Sequence, residues 1–180
     1  MTTYIGLLRA INLGAHNKIA MSDLRALLEK LGFTDPKTLI LSGNVVFKSD
    51  EKSAAKIEQV IEQATAKHLG VTTDYFIRSA KEWQGIIDAN PFRAEAKSDP
   101  ARLVAMCLKD APAQAKVKAL QAAIKGREIV RAKGSVAYFV YPDGMGRSKL
   151  SITMIEKTFG TRGTARNWNT VLKLGGLCEH

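Results

Sequence analysis

Thr38-Leu39-Ile40-Leu41-Ser42-Gly43-Asn44-Val45-Val46-Phe47 reads as two short strands, 38–41 and 45–47, meeting at a hairpin-like Ser-Gly-Asn turn. Two strands joined with no helix between them constrain what stands on either side. Upstream, Tyr4 to Arg9 is an apolar strand, followed by a polar loop with Asn12, Gly14, His16, Asn17 and Lys18. Ser22 is placed to cap a helix whose Leu24, Leu27, Leu28 and Leu31 fall on one stripe, and Gly32 ends it. Downstream, a helix from about Ser53 turns Ile57, Val60, Ile61 and Ala64 inward, and Thr72 to Ile77 forms a last strand. The order β-α-β-β-α-β is the split βαβ, or ferredoxin-like, arrangement.

The remainder repeats the opening of that order. Ser79 and Glu82 have capping-box spacing and start a helix with Trp83, Ile86 and Ile87 on one face. A polar segment from Asn90 to Pro100 connects the halves. Leu103 to Leu108 is continuously apolar, as a strand covered on both faces should be. A helix then aligns Ala113, Val117, Leu120 and Ile124. Ile129 to Ala132 and Val136 to Tyr141 form a hairpin around Lys133-Gly134, and two helices are predicted near Leu150–Phe159 and Ala165–Leu174. The fold class is therefore α+β with two ferredoxin-like halves, the second ending in extra helices in place of a clear last strand. The divisions fall at 1–79, 80–100 and 101–180.

At 180 residues and 46% hydrophobic content, the chain has enough apolar material for a packed core. No basic, then apolar, N-terminal segment signals secretion, and no apolar run approaches the ~18 residues that span a membrane. Two cysteines are too few for a disulfide framework. Together these point to the cytoplasm and away from a membrane. The formal charge is +10. Residues 1–80 carry ten basic and eight acidic side chains, a net of +2, and residues 81–180 carry 17 and nine, a net of +8. Such asymmetry marks either an anionic partner or a solvated basic surface.

Catalytic signatures are scarce. Of the histidines, His16 lies in a loop, His68 on the inward side of a helix as a partly buried structural residue, and His180 at the end. No His/Cys pair has zinc spacing, and neither a nucleophile elbow, a Walker A loop nor a dinucleotide fingerprint is present. No metal or cofactor is indicated. Two glycine-bearing junctions are more suggestive. Asp143-Gly144-Met145-Gly146-Arg147-Ser148-Lys149 and Gly160-Thr161-Arg162-Gly163-Thr164-Ala165-Arg166-Asn167 each lead into a predicted helix. Free N–H groups at a helix start attract anions, and Arg147, Lys149, Arg162 and Arg166 would add charge. The alternative is plain capping, with Gly160 ending one helix and Thr164 starting the next. Tyr138, Phe139 and Tyr141 lack interleaved basic residues, so core packing accounts for them better than base stacking. Trp168, with Val171 and Leu172, also has core spacing.

Tyr4-Ile5-Gly6-Leu7-Leu8-Arg9-Ala10-Ile11-Asn12-Leu13-Gly14, Asn17-Lys18-Ile19-Ala20-Met21-Ser22-Asp23-Leu24, the Ser42–Phe47 turn and Thr164-Ala165-Arg166-Asn167-Trp168-Asn169-Thr170-Val171 form a series spanning nearly the whole chain. In content and spacing it resembles the uncharacterised bacterial family catalogued as domain of unknown function 1697. The resemblance implies a small bacterial α+β protein with ferredoxin-like halves, and no activity. Ala15-His16 stands where that family commonly has Gly-Lys. The family's polar motif positions fall here on Arg9, Asn12, Lys18, Ser42, Asn44, Arg166, Asn167 and Thr170. They either contact a ligand or join the halves by hydrogen bonds.

The leading expectation is a module binding a phosphate-bearing or otherwise anionic small molecule, or nucleic acid, through Arg147, Lys149, Arg162, Thr164 and Arg166. The rival is an enzyme on a small anionic metabolite, with Arg9, Asn12, Ser42, Asn44, Arg166 and Asn167 lining one pocket and arginines orienting the anion. A protein-interaction module is the third, and the residues leave oligomeric state open.

Overall fold

The computed structural model describes residues 1–9, 18–39 and 43–179. Its first elements are β1 (Thr2–Leu8), α1 (Met21–Lys30), β2 (Thr34–Leu39), β3 (Asn44–Ser49), α2 (Ala54–Leu69) and β4 (Tyr75–Ser79). The sheet order is β2-β3-β1-β4, with every neighbouring pair antiparallel. Central β1 pairs on both sides, Ile5 lying opposite Val46 on one and Arg78 on the other. Leu24 and Leu28 of α1, and Ile57 and Ile61 of α2, bury themselves against Leu8, Phe47, Tyr75 and Ile77. Each such side chain contributes roughly 1.5–3 kcal/mol by leaving water.

Details depart from the periodicity. Helix α1 starts at Met21 with Ala20 as its unassisted N-cap, so Ser22 sits inside the first turn and does not cap. On α2, Ser53 does cap, accepting from the Lys56 N–H at 3.3 Å. The buried stripe of α2 is Ile57, Ile61, Ala64 and Thr65, which leaves Val60 to one side and 45% exposed. His68 lies in the last turn before the left-handed Gly70 cap and is exposed, not partly buried. Strand β2 begins earlier than the apolar run suggests. It holds Pro36, Asp35 at φ 52° and a register break between Thr34 and Lys37. Ile40, Leu41 and Ser42 of the expected hairpin lie outside the described residues.

The chain continues through α3 (Ala80–Asp88), α4 (Arg93–Ser98), β5 (Leu103–Leu108), α5 (Gln114–Ala123), β6 (Ile129–Lys133), β7 (Val136–Val140), α6 (Ile152–Phe159), β8 (Gly163–Asn167) and α7 (Trp168–Leu177). The expected capping box opens α3: Ser79 N–H donates to Glu82 Oε2 at 2.7 Å, and Glu82 N–H to Ser79 Oγ at 3.1 Å. The second sheet is ordered β6-β7-β5-β8, again antiparallel throughout. It repeats the order of the first, so the fold is α+β with two split βαβ halves. Every residue of β5 is buried, as its unbroken apolar run requires. Helices α5 and α6 cover one face, with Val117, Leu120, Ile155 and Phe159 packed on Val104, Met106 and Phe139. Tyr138, Phe139, Tyr141 and Trp168 are all core residues.

Strand β8 corrects the expected helix from Ala165, since α7 starts only at Trp168. Its residues pair with β5, Gly163 opposite Leu108 and Arg166 opposite Ala105. Gly163 permits that approach: a Cβ there would stand 2.7 Å from the Cys107 carbonyl oxygen. The chain divides into two compact units, Met1–Gly85 with Lys173–His180, and Ile86–Leu172. Among the described residues, no helix is long and apolar enough to cross a membrane.

Candidate functional site

After β7 the chain enters the glycine-bearing junction through Tyr141 and Pro142. Gly144, at φ 87°, turns it into a short 3-10 segment, Met145–Arg147. Ser148 then locks the loop. Its hydroxyl donates to Glu128 Oε1 at 2.6 Å and accepts the Leu150 N–H at 3.0 Å. Ser151, not Ser148, caps α6 by accepting from Met154 N–H at 3.1 Å.

Between this loop and the end of α5 lies a cavity of about 480 Å³. Its apolar wall is Ile124, Leu150 and Met154, and its charged groups are Lys125, Glu128, Asp143, Arg147 and Lys149. A hollow of about 580 Å³ shares Asp143 and Arg147 and adds Asp99, Arg102 and Pro142.

The acids around these hollows are largely engaged. Arg127 grips Asp143 with two nitrogens, Nε donating to Oδ2 at 3.1 Å and the terminal nitrogen to Oδ1. That hydrogen bonding holds the Asp143 carboxyl below its ordinary range against a smaller cost of burial, helped by the charges of Arg127, Arg102 and Arg147. Arg102 Nε stands 3.4 Å from Asp99 Oδ2, and its terminal nitrogen donates to the Pro142 carbonyl at 2.5 Å. Glu128 is 9% exposed and held by Ser148. By contrast Lys125, Arg147 and Lys149 are exposed and form no ion pair within 4 Å among the described residues.

Just past the end of β7, the Tyr141 hydroxyl is buried with no hydrogen-bond partner among the described residues. Burial, and then the Glu128 charge, push that phenol up to about 12.

The second junction behaves differently. Thr164 and Arg166 lie on β8, so no helix start gathers there. Arg166 donates to Thr164 Oγ1 at 2.8 Å and to the Ala165 carbonyl at 2.9 Å, and burial draws its guanidinium down to about 10 against the opposing influence of Cys107. Thr164 is buried, and Asn167 rather than Thr164 caps α7, its Oδ1 accepting from the Thr170 N–H at 3.0 Å. Thr170 is itself buried, and Arg162 is exposed on the approach to β8.

In the first unit, Asn44 is fully buried and its Nδ2 donates to the Leu39 carbonyl at 2.9 Å, tying the start of β3 to the end of β2. Arg9 stands 3.9 Å from Asp74, and its carbonyl accepts from the Thr73 hydroxyl at 2.5 Å. Lys18 is exposed. Asn12, His16, Ser42 and His180 lie outside the described residues.

Of the expected ligand residues, Arg147 and Lys149 thus share one cavity, while Thr164, Arg166, Asn167 and Thr170 serve β8 and α7. Sequence reasoning missed Lys125, Glu128 and Arg102. Lys125-Gly126-Arg127-Glu128 is a polar stretch before a strand, and nothing in it announces that Glu128 folds inward.

Residues 1–138 match the family described as "Protein of unknown function (DUF1697)", a match that ends before the loop walling the cavity. Among solved structures the chain is similar to the conserved bacterial protein SP0830 from Streptococcus pneumoniae, with a TM-score of 0.75, 23% identity and 98% of each chain covered. At that identity the likeness establishes the fold. No curated protein matches the chain.

Proposed function

The chain belongs to the DUF1697 family, a family of unknown function, and from that premise we propose that it is a binding module for a small anionic or phosphate-bearing ligand, seated at the Arg147–Lys149 cavity. The observation that carries this reading is the contrast in partners around the cavity. Asp99 and Asp143 are already neutralised by arginines, while Lys125, Arg147 and Lys149 have no carboxylate within ion-pair distance among the described residues. Spare cations beside an apolar wall suit a compact ligand with a charged end. The volume also falls within the roughly 300–1,000 Å³ of small-molecule sites. The +8 balance of residues 81–180 supports the choice of an anion. A reducing, cytoplasmic setting belongs to the same reading, in keeping with a sequence of only two cysteines.

A thermal-shift and calorimetric panel of inorganic phosphate, mononucleotides, and short RNA and DNA at low and moderate salt tests it. A small anion should bind saturably, and the pair Arg147→Ala and Lys149→Ala should weaken it at least tenfold. Binding that survives both substitutions, or none at low salt, would overturn the site. Binding to polynucleotide alone, falling steeply with salt, would transfer the function to nucleic acid.

A further inference from the structure

The anion reading leaves one group of the cavity unexplained: a carboxylate on its wall. Glu128 is 9% exposed and forms no ion pair within 4 Å among the described residues. Arg127 eases its charge from a distance without pairing with it, and the remaining negative charge would repel a bare anion at Arg147 and Lys149. The carboxylate's position is nevertheless built in from two sides. Ser148 holds Oε1 at 2.6 Å, and Oε2 lies over the bare α-carbon of Gly126, where a Cβ would stand 2.4 Å away. Ionised carboxylates accept only, and about four lone-pair sites serve the two oxygens. With one taken by Ser148, room remains for a pair of donors. The neighbouring wall of Ile124, Leu150 and Met154 has no polar side-chain group and suits a flat, weakly polar body.

Resting on the reading above, we infer that the ligand is a nucleoside phosphate. Its phosphate meets Arg147 and Lys149, its ribose hydroxyls donate to Glu128, and its base lies along Ile124, Leu150 and Met154. Glu128 is then the specificity group: it rejects anions that bring no hydroxyl donors, because they leave its charge unsatisfied.

Calorimetry on the full chain tests this with the four ribonucleoside 5′-monophosphates, the 2′,3′-dideoxy counterpart of the tightest, ribose 5-phosphate and inorganic phosphate. The dideoxy compound should bind at least tenfold more weakly than its parent, and ribose 5-phosphate should also be weaker. Two variants should erase the difference between parent and dideoxy compound. Glu128→Ala removes the acceptor. Gly126→Ala drives the carboxylate aside while altering no charge, and only the flexible end of a side chain must yield. Should Glu128→Ala fold poorly, Gly126→Ala carries the test alone.

Equal affinity for parent and dideoxy compound, or discrimination that persists in both variants, would overturn the assignment. Ribose 5-phosphate binding as tightly as the nucleotides would overturn the base contact and leave a sugar phosphate. If inorganic phosphate binds and no nucleotide does, this inference falls and the anion site stands. If nothing in the panel binds, both fall.

Discussion

The Tyr138 hydroxyl donates to the Ile86 carbonyl at 2.6 Å, fastening an inner strand of the second sheet to the last turn of α3. Carbonyls in a helix's last turn have no partner within the helix, and this one is supplied from 52 residues away. Both ends are buried, and that burial drives the Tyr138 phenol well above its ordinary value.

Tyr138→Phe should therefore cost about 1–3 kcal/mol, the penalty for leaving a buried acceptor unmet. Tyr141→Phe removes a hydroxyl that has no partner among the described residues, and should be neutral or stabilising. Urea denaturation of the two variants should separate them clearly. A larger loss for Tyr141→Phe would contradict this account.

Asn167 offers a second contrast. As the cap of α7 it should lose roughly 0.5–2 kcal/mol on replacement by Ala, and much less by Asp or Ser. Affinity for anions should not change, because Asn167 is no part of the Arg147–Lys149 cavity. Parallel melting and binding curves check both halves of the statement.

Glycines separate by what surrounds them. A Cβ at Gly163 meets a backbone oxygen that cannot swing away, so Gly163→Ala should destabilise by about 1–3 kcal/mol. Gly85, on α3, has nothing within 4 Å of a Cβ, and Gly85→Ala should stabilise by about 0.4–1 kcal/mol. Thermal midpoints moving in opposite directions would bear this out.

Alkaline pH should loosen the protein through Tyr75 and Tyr141. Burial pushes both phenols from 10.0 up to about 12, with the Thr65 hydrogen bond only partly offsetting it at Tyr75. A proton held more tightly when folded contributes stability that is complete below pH 10 and lost as pH rises toward 12. Ionising either phenol within the fold costs on the order of 2–3 kcal/mol relative to the unfolded chain, a penalty felt only at high pH. Stability measured across that window should fall, and Tyr75→Phe should flatten the fall.

Leu24, Leu28, Ile57 and Ile61 announced their helices because one buried face imposes a 3.6-residue rhythm, and β5 was legible as an unbroken apolar run. Strand β8 was not. Gly163-Thr164-Ala165-Arg166-Asn167 pairs on one side only and carries small or polar side chains, while the Trp168, Val171 and Leu174 periodicity of α7 pulled the expected helix backward over it. Strand β2 was hidden by its Asp35-Pro36 interruption. At the cavity, Arg147 and Lys149 were visible as charges in a glycine-bearing loop. Glu128 was not, since its burial depends on Ser148, a contact across 20 residues that no local pattern encodes. Arg166 and Thr164 looked like ligand groups because polar side chains serving a strand and those serving a ligand are the same residue types.

The interruption in β2 also bears on what can pair with the outer edge of the first sheet. An outermost strand exposes unpaired amides and carbonyls, a template onto which another chain can add. Here proline removes one donor, the left-handed Asp35 bends the rim, and Lys37, 3.5 Å from Asp35, adds charge. The first sheet thus carries its own guard against aggregation along that border. Straightening it, as by Asp35→Val with Pro36→Thr, would strip that edge of its protection and should promote strand-to-strand association between copies.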